Sequence, residues 1–298
     1  MQRDRLAVLM TCHNRRARTL ACIRSVYKQS RTIEPEVSLF LVDDGSTDGT
    51  AEAVRREQCG VHIIESDGRR FWNGGMRLAF AAACQQPFEY FLWLNDDVEL
   101  GDGALAGLLQ TYAWCASIGE PDSIVVGVTR DPADGLMSYG GWRRLDARNG
   151  LRLEQIPVQT SPARCDTMNG NCVLVPQRVV TRVGELDPAF THGMADMDYG
   201  FRARKAGCAI WVAPGYVGDC VRNSGAGLWV DHSLGVLDKW RRLLGPKGLP
   251  PREWFIYTRR HSGRWWPLYW LNPYAKFWFR ALKSPRRLRR RQREKHSA

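Results

Sequence analysis

Three polar residues, Asn95-Asp96-Asp97, directly follow the apolar run Phe91-Leu92-Trp93-Leu94. A short apolar run of this kind is typical of a central strand that is covered on both faces. Asp is almost never fully buried without a partner, so we expect both carboxylates at the open end of a sheet. Two carboxylates there suit a divalent cation that also holds phosphate oxygens, as Mg²⁺ commonly does. The alternative is a simple polar turn, since Asn and Asp are common turn residues.

A second acidic pair, Asp196 and Asp198, lies near the start of a predicted helix that ends at Gly207, a favourable residue for a helix C-terminus. Both fall in the first helical turn, where negative charge is favoured, so they can simply cap the helix. Residues i and i+2 of a helix do not share a face. We therefore expect one carboxylate to face a cleft and the other to contact local Arg or backbone groups.

Alternating strands and helices must position these side chains. Apolar runs predict strands at 6–10, 37–42, 61–64, 91–94, 124–128, 168–176 and 209–212, with helices at about 18–29, from about 46, from about 76 to 84, and at 177–183. This order predicts an α/β fold with a mostly parallel sheet and right-handed crossovers. The glycine-rich segment at Gly74 leads into a helix whose N-terminal amides suit phosphate, or it is only a tight turn.

Size and charge narrow the class of protein. A chain of 298 residues can form one α/β domain with additions, and the net charge of +12 indicates an anionic partner: nucleic acid, a phosphorylated substrate or an acidic membrane surface. The nine cysteines include no Cys-x-x-Cys pair, and no apolar run approaches the ~20 residues of a spanning helix. With no signal-peptide core at the N-terminus, we expect a cytosolic, reduced protein that can contact a membrane from one side only.

The last part of the chain differs in composition. Residues 241–298 are rich in Trp, Tyr and Phe and end in the basic run Arg286–Arg293, so we place a domain boundary between 1–240 and this extension. Aromatic residues beside a cationic run are typical of an interface with anionic lipid. Alternatively, the aromatic residues pack on the core and the arginines form a solvated tail or bind nucleic acid.

Taken together, the motifs Thr11-Cys12-His13-Asn14, Val42–Asp48, Asn95-Asp96-Asp97 and Asp196-x-Asp198 resemble those of family 2 inverting glycosyltransferases with the GT-A fold, over roughly residues 5 to 230. Within that family the chain looks like the bacterial surface-polysaccharide or rhamnosyl-type transferases. The resemblance implies a Rossmann-like, mostly parallel mixed sheet flanked by helices. It also implies Mg²⁺ or Mn²⁺ and a nucleotide-sugar donor, for which we expect a UDP- or dTDP-sugar rather than a GDP-sugar.

The resemblance assigns roles to particular residues. Asp196 would be the general base that takes the proton of an acceptor hydroxyl, with Asp198 in support, and Asp97 would ligate the metal ion. The family's donor contacts correspond to Thr11, Asn14, Asp43, Asp44, Asn73, Gly74, Arg77, Asn95 and Asp96. Two departures leave choices open. Ala195 replaces the glutamate that usually precedes the base, so Asp196 and Asp198 both stay candidates. A metal-binding His of many relatives is absent, so Asp219, His192 or water would supply the third ligand.

The implied activity is metal-dependent transfer of a hexosyl or deoxyhexosyl group to a saccharide or polyprenyl-linked acceptor at the cytoplasmic face of the membrane, with inversion. Two other classes fit parts of the sequence. A nucleotidyltransferase acting on a sugar phosphate shares nucleotide binding and a carboxylate-held metal. A basic nucleic-acid-binding protein fits the net charge, but carboxylates at the strand ends would repel phosphates, so no nucleic-acid partner is expected.

Overall fold

The structure, a computed structural model, describes residues 4–57, 60–146 and 151–295, with side chains as far as residue 282. The strands are β1 Arg5–Cys12, β2 Glu36–Asp43, β3 Val61–Glu65, β4 Tyr90–Leu94, β5 Glu99–Leu100, β6 Ser123–Val126, β7 Thr129–Arg130, β8 Met137–Tyr139, β9 Gly141–Arg144, β10 Leu153–Gln155, β11 Ala163–Arg164, β12 Thr167–Met168, β13 Cys172–Pro176, β14 Ala209–Val212 and β15 Gly218–Asp219. The helices are α1 Arg16–Ser30, α2 Thr50–Glu57, α3 Phe71–Ala83, α4 Ala104–Ser117, α5 Gln177–Val183, α6 Ala195–Lys205, α7 Val236–Leu244, α8 Pro251–His261 and α9 Trp266–Lys295.

The main sheet has eight strands in the order β11-β14-β6-β13-β4-β1-β2-β3. Strands β4, β1, β2 and β3 are parallel neighbours, as are β14 and β6, whereas β13 runs antiparallel between β4 and β6. The prediction of a mostly parallel mixed sheet flanked by helices is therefore confirmed. Strand β1 is apolar along its length because helices cover both faces of the sheet, and residues from Leu6 to Met10 are buried.

The reversed strand β13 decides which loops meet at the site. Because Cys172 at its start pairs with Leu94 at the end of β4, residues just before β13 lie beside the turn that follows β4. The parallel neighbours β4 and β1 end at the same edge, since Leu9 pairs with Trp93. The loops after β1 and β4 and the loop before β13 therefore share one edge of the sheet.

The chain divides into two compact units. The first extends to Leu145 and continues over Leu153–Arg222, and it contains the main sheet. The second consists of Asp146–Arg152 and the chain from Asn223 onward, and it contains α7, α8 and α9. The domain boundary at residue 240 stays a prediction. Helix α4 is an addition to the predicted elements, because its apolar residues follow the acidic turn without a clear polar face.

Aromatic side chains hold the second unit together. Trp240 packs on Tyr274, Phe277 and Trp278 of α9 at ring-centroid distances of 6.2, 5.2 and 5.2 Å. The Tyr274 hydroxyl donates to the Leu249 carbonyl at 2.8 Å. Within the described residues, every helix is too short or too polar to cross a bilayer.

Candidate active site

The turn after β4 carries two carboxylates that share one cation. Arg15 Nη1 lies 3.1 Å from Asp96 Oδ1 and 2.8 Å from Asp97 Oδ2, while the two Asp side chains are only 7% and 12% exposed. The Thr19 hydroxyl donates to Asp96 Oδ2 at 3.4 Å. Burial raises the pKa of Asp96 to about 6, although Arg15 opposes the rise. Arg15, 81 residues away in sequence, was not among the predicted site residues.

Cys220 completes the surroundings of Asp97. Its Sγ–H donates to Asp97 Oδ1 at 3.6 Å, and it accepts from Asn171 Nδ2 at the same distance. Burial raises the pKa of this thiol, so it is neutral at physiological pH and acts as a donor. The neighbouring Asp219 instead pairs with Arg130 Nε at 2.7 Å. Because successive side chains of an extended strand point to opposite faces, Cys220 faces Asp97 while Asp219 faces away. The role of Asp219 as a metal ligand stays a prediction without geometric support.

The two residues of the second acidic pair differ in burial and in their hydrogen-bond partners. Asp196, at the first turn of α6, is half-buried and accepts from the Gly170 and Met197 amides at 2.9 and 2.8 Å. Burial raises its pKa, and the two amide hydrogen bonds only partly offset the rise. Asp198 is fully buried and accepts from Arg202 Nε at 2.8 Å. The geometry thus gives the two carboxylates different surroundings, as expected for residues i and i+2.

Residues Gly170 and Asn171, in the loop before β13, connect the two acidic motifs. The Gly170 amide donates to Asp196, and the Asn171 carbonyl accepts from the Asn95 amide at 2.9 Å. Trp72 makes a second connection, because its Nε1 donates to Asn95 Oδ1 at 2.7 Å while its ring lies against Gly170. A Cβ at Gly170 would stand 2.5 Å from that ring and 3.3 Å from the Asp196 Cβ. The two motifs therefore lie in one region of the first unit.

The Asp pair after β2 has a different environment. Asp44 is buried and accepts from the Ser66 hydroxyl at 2.7 Å and from the Arg70 and Phe71 amides at 3.0 and 2.8 Å. Burial acts to raise the pKa of Asp44, but these hydrogen bonds outweigh it and the pKa is lowered. Asp43 is also buried and accepts from the Ser46 amide at 2.8 Å. Both carboxylates thus order the loops at this edge of the sheet.

Asn14 and Thr11 hold the loops against each other. The Asn14 side-chain oxygen Oδ1 accepts from the Thr47 backbone amide at 2.7 Å. The Asn14 backbone amide donates to Ser46 Oγ at 2.9 Å, so two hydrogen bonds connect the loops after β1 and β2. Thr11 packs against α3, where a Cβ at Gly75 would stand 2.2 Å from Thr11 Oγ1. The predicted loop or tight turn at Gly74 is wrong, because Gly74 and Gly75 lie inside α3 and the Gly74 amide donates to the Arg70 carbonyl at 3.1 Å. Gly75 allows close packing of the helix on β1, and a Cβ at Gly74 would meet Arg70 Cβ at 3.2 Å.

Asn73 and Arg77, which were predicted to contact the nucleotide-sugar donor, bond to protein groups outside the two acidic motifs. Asn73 is fully buried, and its Nδ2 donates to the carbonyls of Asp187 and Phe190 at 2.8 and 2.5 Å. Arg77 Nε lies 3.3 Å from Glu185 Oε2. Arg77 and Glu185 line a small recess together with Trp93, and neither Asp97 nor Asp196 lines it. The structure thus does not bring Arg77 to the two acidic motifs, and its phosphate contact stays a prediction.

Backbone strain is concentrated next to the site. Among the described residues, the non-glycine residues with left-handed backbone are Asn14, Phe71 and Met194, with φ of 52°, 53° and 69°. Asn14 immediately precedes Arg15, and Phe71 immediately precedes Trp72. Met194 comes two residues before Asp196. Such residues are disfavoured by about 1–3 kcal/mol each and persist where the surroundings hold them, commonly at functional sites. At Phe71 the Asp44 carboxylate holds the backbone in this conformation, because it accepts a hydrogen bond from the Phe71 amide.

The donor set fits a divalent ion that completes its coordination with substrate oxygens. Among the described residues, no three His, Cys, Asp or Glu side chains converge in a way that would hold a metal alone. Mg²⁺-type ions need only one or two carboxylates when phosphate oxygens and water fill the other positions. Asp96 and Asp97 meet this requirement, because oxygens of both already converge on one cationic nitrogen.

The mixed sheet and the helices that flank it form the GT-A fold of glycosyltransferases, as two solved structures show. A mannosyltransferase from Pyrobaculum calidifontis, solved with GDP-Man and Mn²⁺, superposes with a TM-score of 0.54 at 17% identity, over 87% of this chain and 65% of that one. GalNAc-T7, solved with UDP, GalNAc and Mn²⁺, gives 0.54 at 16% identity, over 74% and 44%.

The sequence comparison identifies the family. The model of glycosyl transferase family 2 matches residues 7–166, and the chain belongs to this family. Two Mycobacterium tuberculosis strains, CDC 1551 / Oshkosh and ATCC 25618 / H37Rv, have a similar protein described as N-acetylglucosaminyl-diphospho-decaprenol L-rhamnosyltransferase. Each is 26% identical over an alignment of 199 positions, which covers 60% of this chain and 64% of the relative. The match thus spans less than two thirds of these relatives' length.

Proposed function

We propose that this protein is a metal-dependent, inverting glycosyltransferase. It would move a hexosyl or deoxyhexosyl group from a nucleoside diphosphate to a hydroxyl of a saccharide or lipid-linked acceptor. Membership in glycosyl transferase family 2 supports the reaction class, and structural neighbours solved with Mn²⁺ support the ion.

One observation carries the proposal: the carboxylates that would hold the ion and the carboxylate that would act as base are joined through residues 170 and 171. The Gly170 amide donates to Asp196, and the adjacent Asn171 bonds to the Asn95 backbone, one residue before Asp96. A direct displacement needs an ion at the leaving group and a base for the acceptor within one cleft. This connection supports the proposal, because it joins the turn that carries Asp96 and Asp97 to the first turn of α6.

Each residue has a specific task in the proposed reaction. Asp97 and Asp96 would hold a divalent ion, which would supply positive charge for the departing nucleoside diphosphate. Asp196 accepts the proton of the acceptor hydroxyl as that oxygen attacks the anomeric carbon from the face opposite the leaving group, so one displacement inverts the configuration. The raised pKa of Asp196 makes it a stronger base than an exposed carboxylate. Asp198 would orient Arg202, whose guanidinium donates to the Val183 and Glu185 carbonyls outside α6.

The donor and acceptor are proposed from the relatives. The mycobacterial proteins are described as L-rhamnosyltransferases acting on N-acetylglucosaminyl-diphospho-decaprenol. By analogy, we expect a deoxyhexose on UDP or dTDP as donor and a polyprenyl-diphosphate-linked sugar as acceptor. Asp43, Asp44 and Thr11 would frame the base and ribose, because they lie at the ends of β2 and β1 beside the Asp96 turn.

The test is a donor panel with product analysis. The protein is incubated with UDP-, dTDP- and GDP-sugars, dTDP-L-rhamnose included, a polyprenyl-diphosphate N-acetylglucosamine acceptor and Mn²⁺, with EDTA as a control. We expect transfer and release of a nucleoside diphosphate, loss of both with EDTA, and inverted anomeric configuration by NMR. Retained configuration or EDTA-resistant transfer would contradict the mechanism. Pyrophosphate released from a nucleoside triphosphate and a sugar phosphate would indicate a nucleotidyltransferase.

We also propose that helix α9 binds an anionic membrane surface. Its exposed apolar side chains Leu268, Leu271, Phe279 and Leu282 are 51–70% exposed and repeat at helical spacing, so they form one face. Phe277 lies on the opposite face and Tyr274 at the side of the helix, and both pack on Trp240. The basic run Arg286–Arg293 continues the helix, and basic residues near an anionic surface contribute about 1 kcal/mol each.

Vesicle sedimentation tests this surface. We expect binding to phosphatidylglycerol vesicles that weakens at high salt, and little binding to phosphatidylcholine vesicles. The combined variant Leu268→Gln, Leu271→Gln and Phe279→Gln should lose most of the binding, whereas Leu136→Gln, at a position 60% exposed in the first unit, should not. Equal binding of both variants would overturn the assignment.

A further inference from the structure

Arg15 is positioned where a metal ion would contact the acidic turn. A single guanidinium nitrogen, Nη1, bonds to Asp96 Oδ1 and Asp97 Oδ2 at once. In the described part of the chain, the salt bridges of both carboxylates go to this arginine. The two oxygens therefore already share one positive charge. The other oxygens, Asp96 Oδ2 and Asp97 Oδ1, accept from Thr19 and Cys220, so an ion drawn to both carboxylates would compete with Arg15.

The backbone of Arg15 is fixed, whereas its guanidinium is free to leave. The Arg15 carbonyl accepts from the Thr19 amide at 2.9 Å and from the Thr19 hydroxyl at 3.1 Å, and so anchors the start of α1. The preceding Asn14 is bonded to Ser46 and Thr47. The Arg15 side chain, by contrast, is 41% exposed. Movement of the guanidinium away from the carboxylates would therefore leave the loop intact.

We propose that Arg15 is an internal counter-cation that neutralises Asp96 and Asp97 before substrate arrives and competes with the divalent ion for their oxygens. The proposal rests on the metal site of the proposed function. Its consequence is a coupling between ion and donor: the ion binds weakly alone, because it must displace Arg15, and tightly when a diphosphate adds further ligands. Such a coupling is reciprocal, so the ion would strengthen donor binding by the same factor.

Mn²⁺ binding without any donor tests the competition directly. Free Mn²⁺ is measured by electron paramagnetic resonance during titration of the full chain, with and without UDP. We expect Arg15→Gln to bind Mn²⁺ about tenfold more tightly than wild type when UDP is absent, since charge-assisted hydrogen bonds no longer have to be broken. The gain in Mn²⁺ affinity on adding UDP should shrink correspondingly. Arg15→Lys, which keeps the charge on a single point, should lie between the two.

The matched control is Arg18→Gln, which removes an equal charge from the exposed side of α1, where the described residues offer Arg18 no ion pair. It should change the Mn²⁺ affinity less than twofold or so, because exposed charges are screened. Circular dichroism melting checks that each variant is folded. If Arg15→Gln misfolds, the Arg15→Lys comparison decides.

Two results would overturn the competition. One is Mn²⁺ affinity of Arg15→Gln equal to or weaker than wild type; the other is an equal gain in Arg18→Gln. Asp97→Asn separates this failure from failure of the proposed metal site. If Asp97→Asn abolishes Mn²⁺ binding while Arg15→Gln has no effect, the ion site stands and only the competition is wrong. If Asp97→Asn binds Mn²⁺ normally, the ion site is wrong and the competition with it.

Discussion

Two Asp-Asp dipeptides end neighbouring regions of the same sheet, and they differ in what binds them. Asp44, after β2, accepts from backbone amides of Arg70 and Phe71, groups that cannot leave without unfolding the start of α3. Asp96 and Asp97, after β4, accept from the side chain of Arg15. The difference also shows in protonation, because the pKa of Asp44 is lowered while that of Asp96 is raised to about 6.

This contrast teaches how one sequence pattern serves two purposes. A carboxylate held by backbone donors fixes the chain and is stabilised in its charged form. A carboxylate held by a partly exposed side chain can exchange that partner for another cation. Asp44 therefore orders the strained start of α3, which carries Trp72. In the proposed function, Asp96 and Asp97 instead exchange Arg15 for the ion.

Asp97→Asn should show the largest effect on activity. We expect kcat/KM to fall about 10³-fold, because the variant loses a carboxylate that holds the ion at the leaving group, and such stabilisation amounts to several kcal/mol. Steady-state transfer assays at saturating Mn²⁺ measure the loss. Asp102→Asn is the control, since that side chain is 84% exposed beside Lys28. If Asp97→Asn keeps near-wild-type turnover, the dipeptide Asp96-Asp97 does not hold an ion, and the contrast with Asp43-Asp44 is wrong.

Asp196→Asn extends the contrast to α6. We expect kcat to fall by about 10²–10⁴, the usual contribution of a general base, with donor affinity unchanged. Asp198→Asn should instead lower the free energy of unfolding by about 1–3 kcal/mol, because Arg202 would lose its charged acceptor and keep only the Val183 and Glu185 carbonyls. Transfer kinetics and urea unfolding of both variants separate the roles. A selective loss of kcat in Asp198→Asn, with stability intact, would move the base to that residue.

Gly170→Ala tests the loop that joins the acidic motifs. The added Cβ would stand 2.5 Å from the Trp72 ring, so Trp72 and Asp196 must move apart. We expect kcat to fall about 10- to 100-fold, since a small misplacement of a catalytic group has effects of that size. Gly107→Ala on α4, where a Cβ meets no atom within 4 Å outside the neighbouring helix backbone, should keep full activity. Equal activity of the two variants would show that residue 170 does not position the site.

Asp44→Asn should give a smaller effect, on stability. We expect unfolding to become easier by about 1–3 kcal/mol at pH 7, because the backbone donors lose a charged acceptor. The pKa of Asp44 is lower in the folded than in the unfolded state, so its contribution is complete above about pH 4, the unfolded value, and is lost as the pH falls through the folded value. Urea unfolding at several pH values should therefore show wild type and variant converging below pH 4. A constant difference would contradict the assigned role.

Much of the fold could be predicted because apolar runs ended where polar loops began. The run before Asn95 predicted β4 almost to the residue, and the late helix with Asp196 was predicted near its observed start. Arg15 could not be found in this way, because its contact with Asp97 depends on β1 lying beside β4, which a single sequence does not state. Cys220 was missed for a related reason: which of two successive residues faces Asp97 depends on the register of a two-residue strand.

The roles of the carboxylates after β2 were equally hidden. In the sequence, helix-capping residues follow Asp43 and Asp44. This pattern fits carboxylates that order a loop as well as carboxylates that bind a ligand. Only the folded chain shows that Asp44 accepts hydrogen bonds from the amides of Arg70 and Phe71, which lie 26 and 27 residues further along.

The central claim is that Asp97 and Asp196 serve one site containing a cation and a nucleoside diphosphate. A crystal structure with Mn²⁺ and UDP tests it most directly, because the anomalous signal of Mn²⁺ fixes the ion's position. The account predicts Mn²⁺ coordinated by Asp97 and by the diphosphate, the Arg15 guanidinium moved off the carboxylates, and the carboxylate of Asp196 open to the same cleft. Mn²⁺ bound away from Asp97, or UDP in a cavity that Asp196 does not reach, would contradict it.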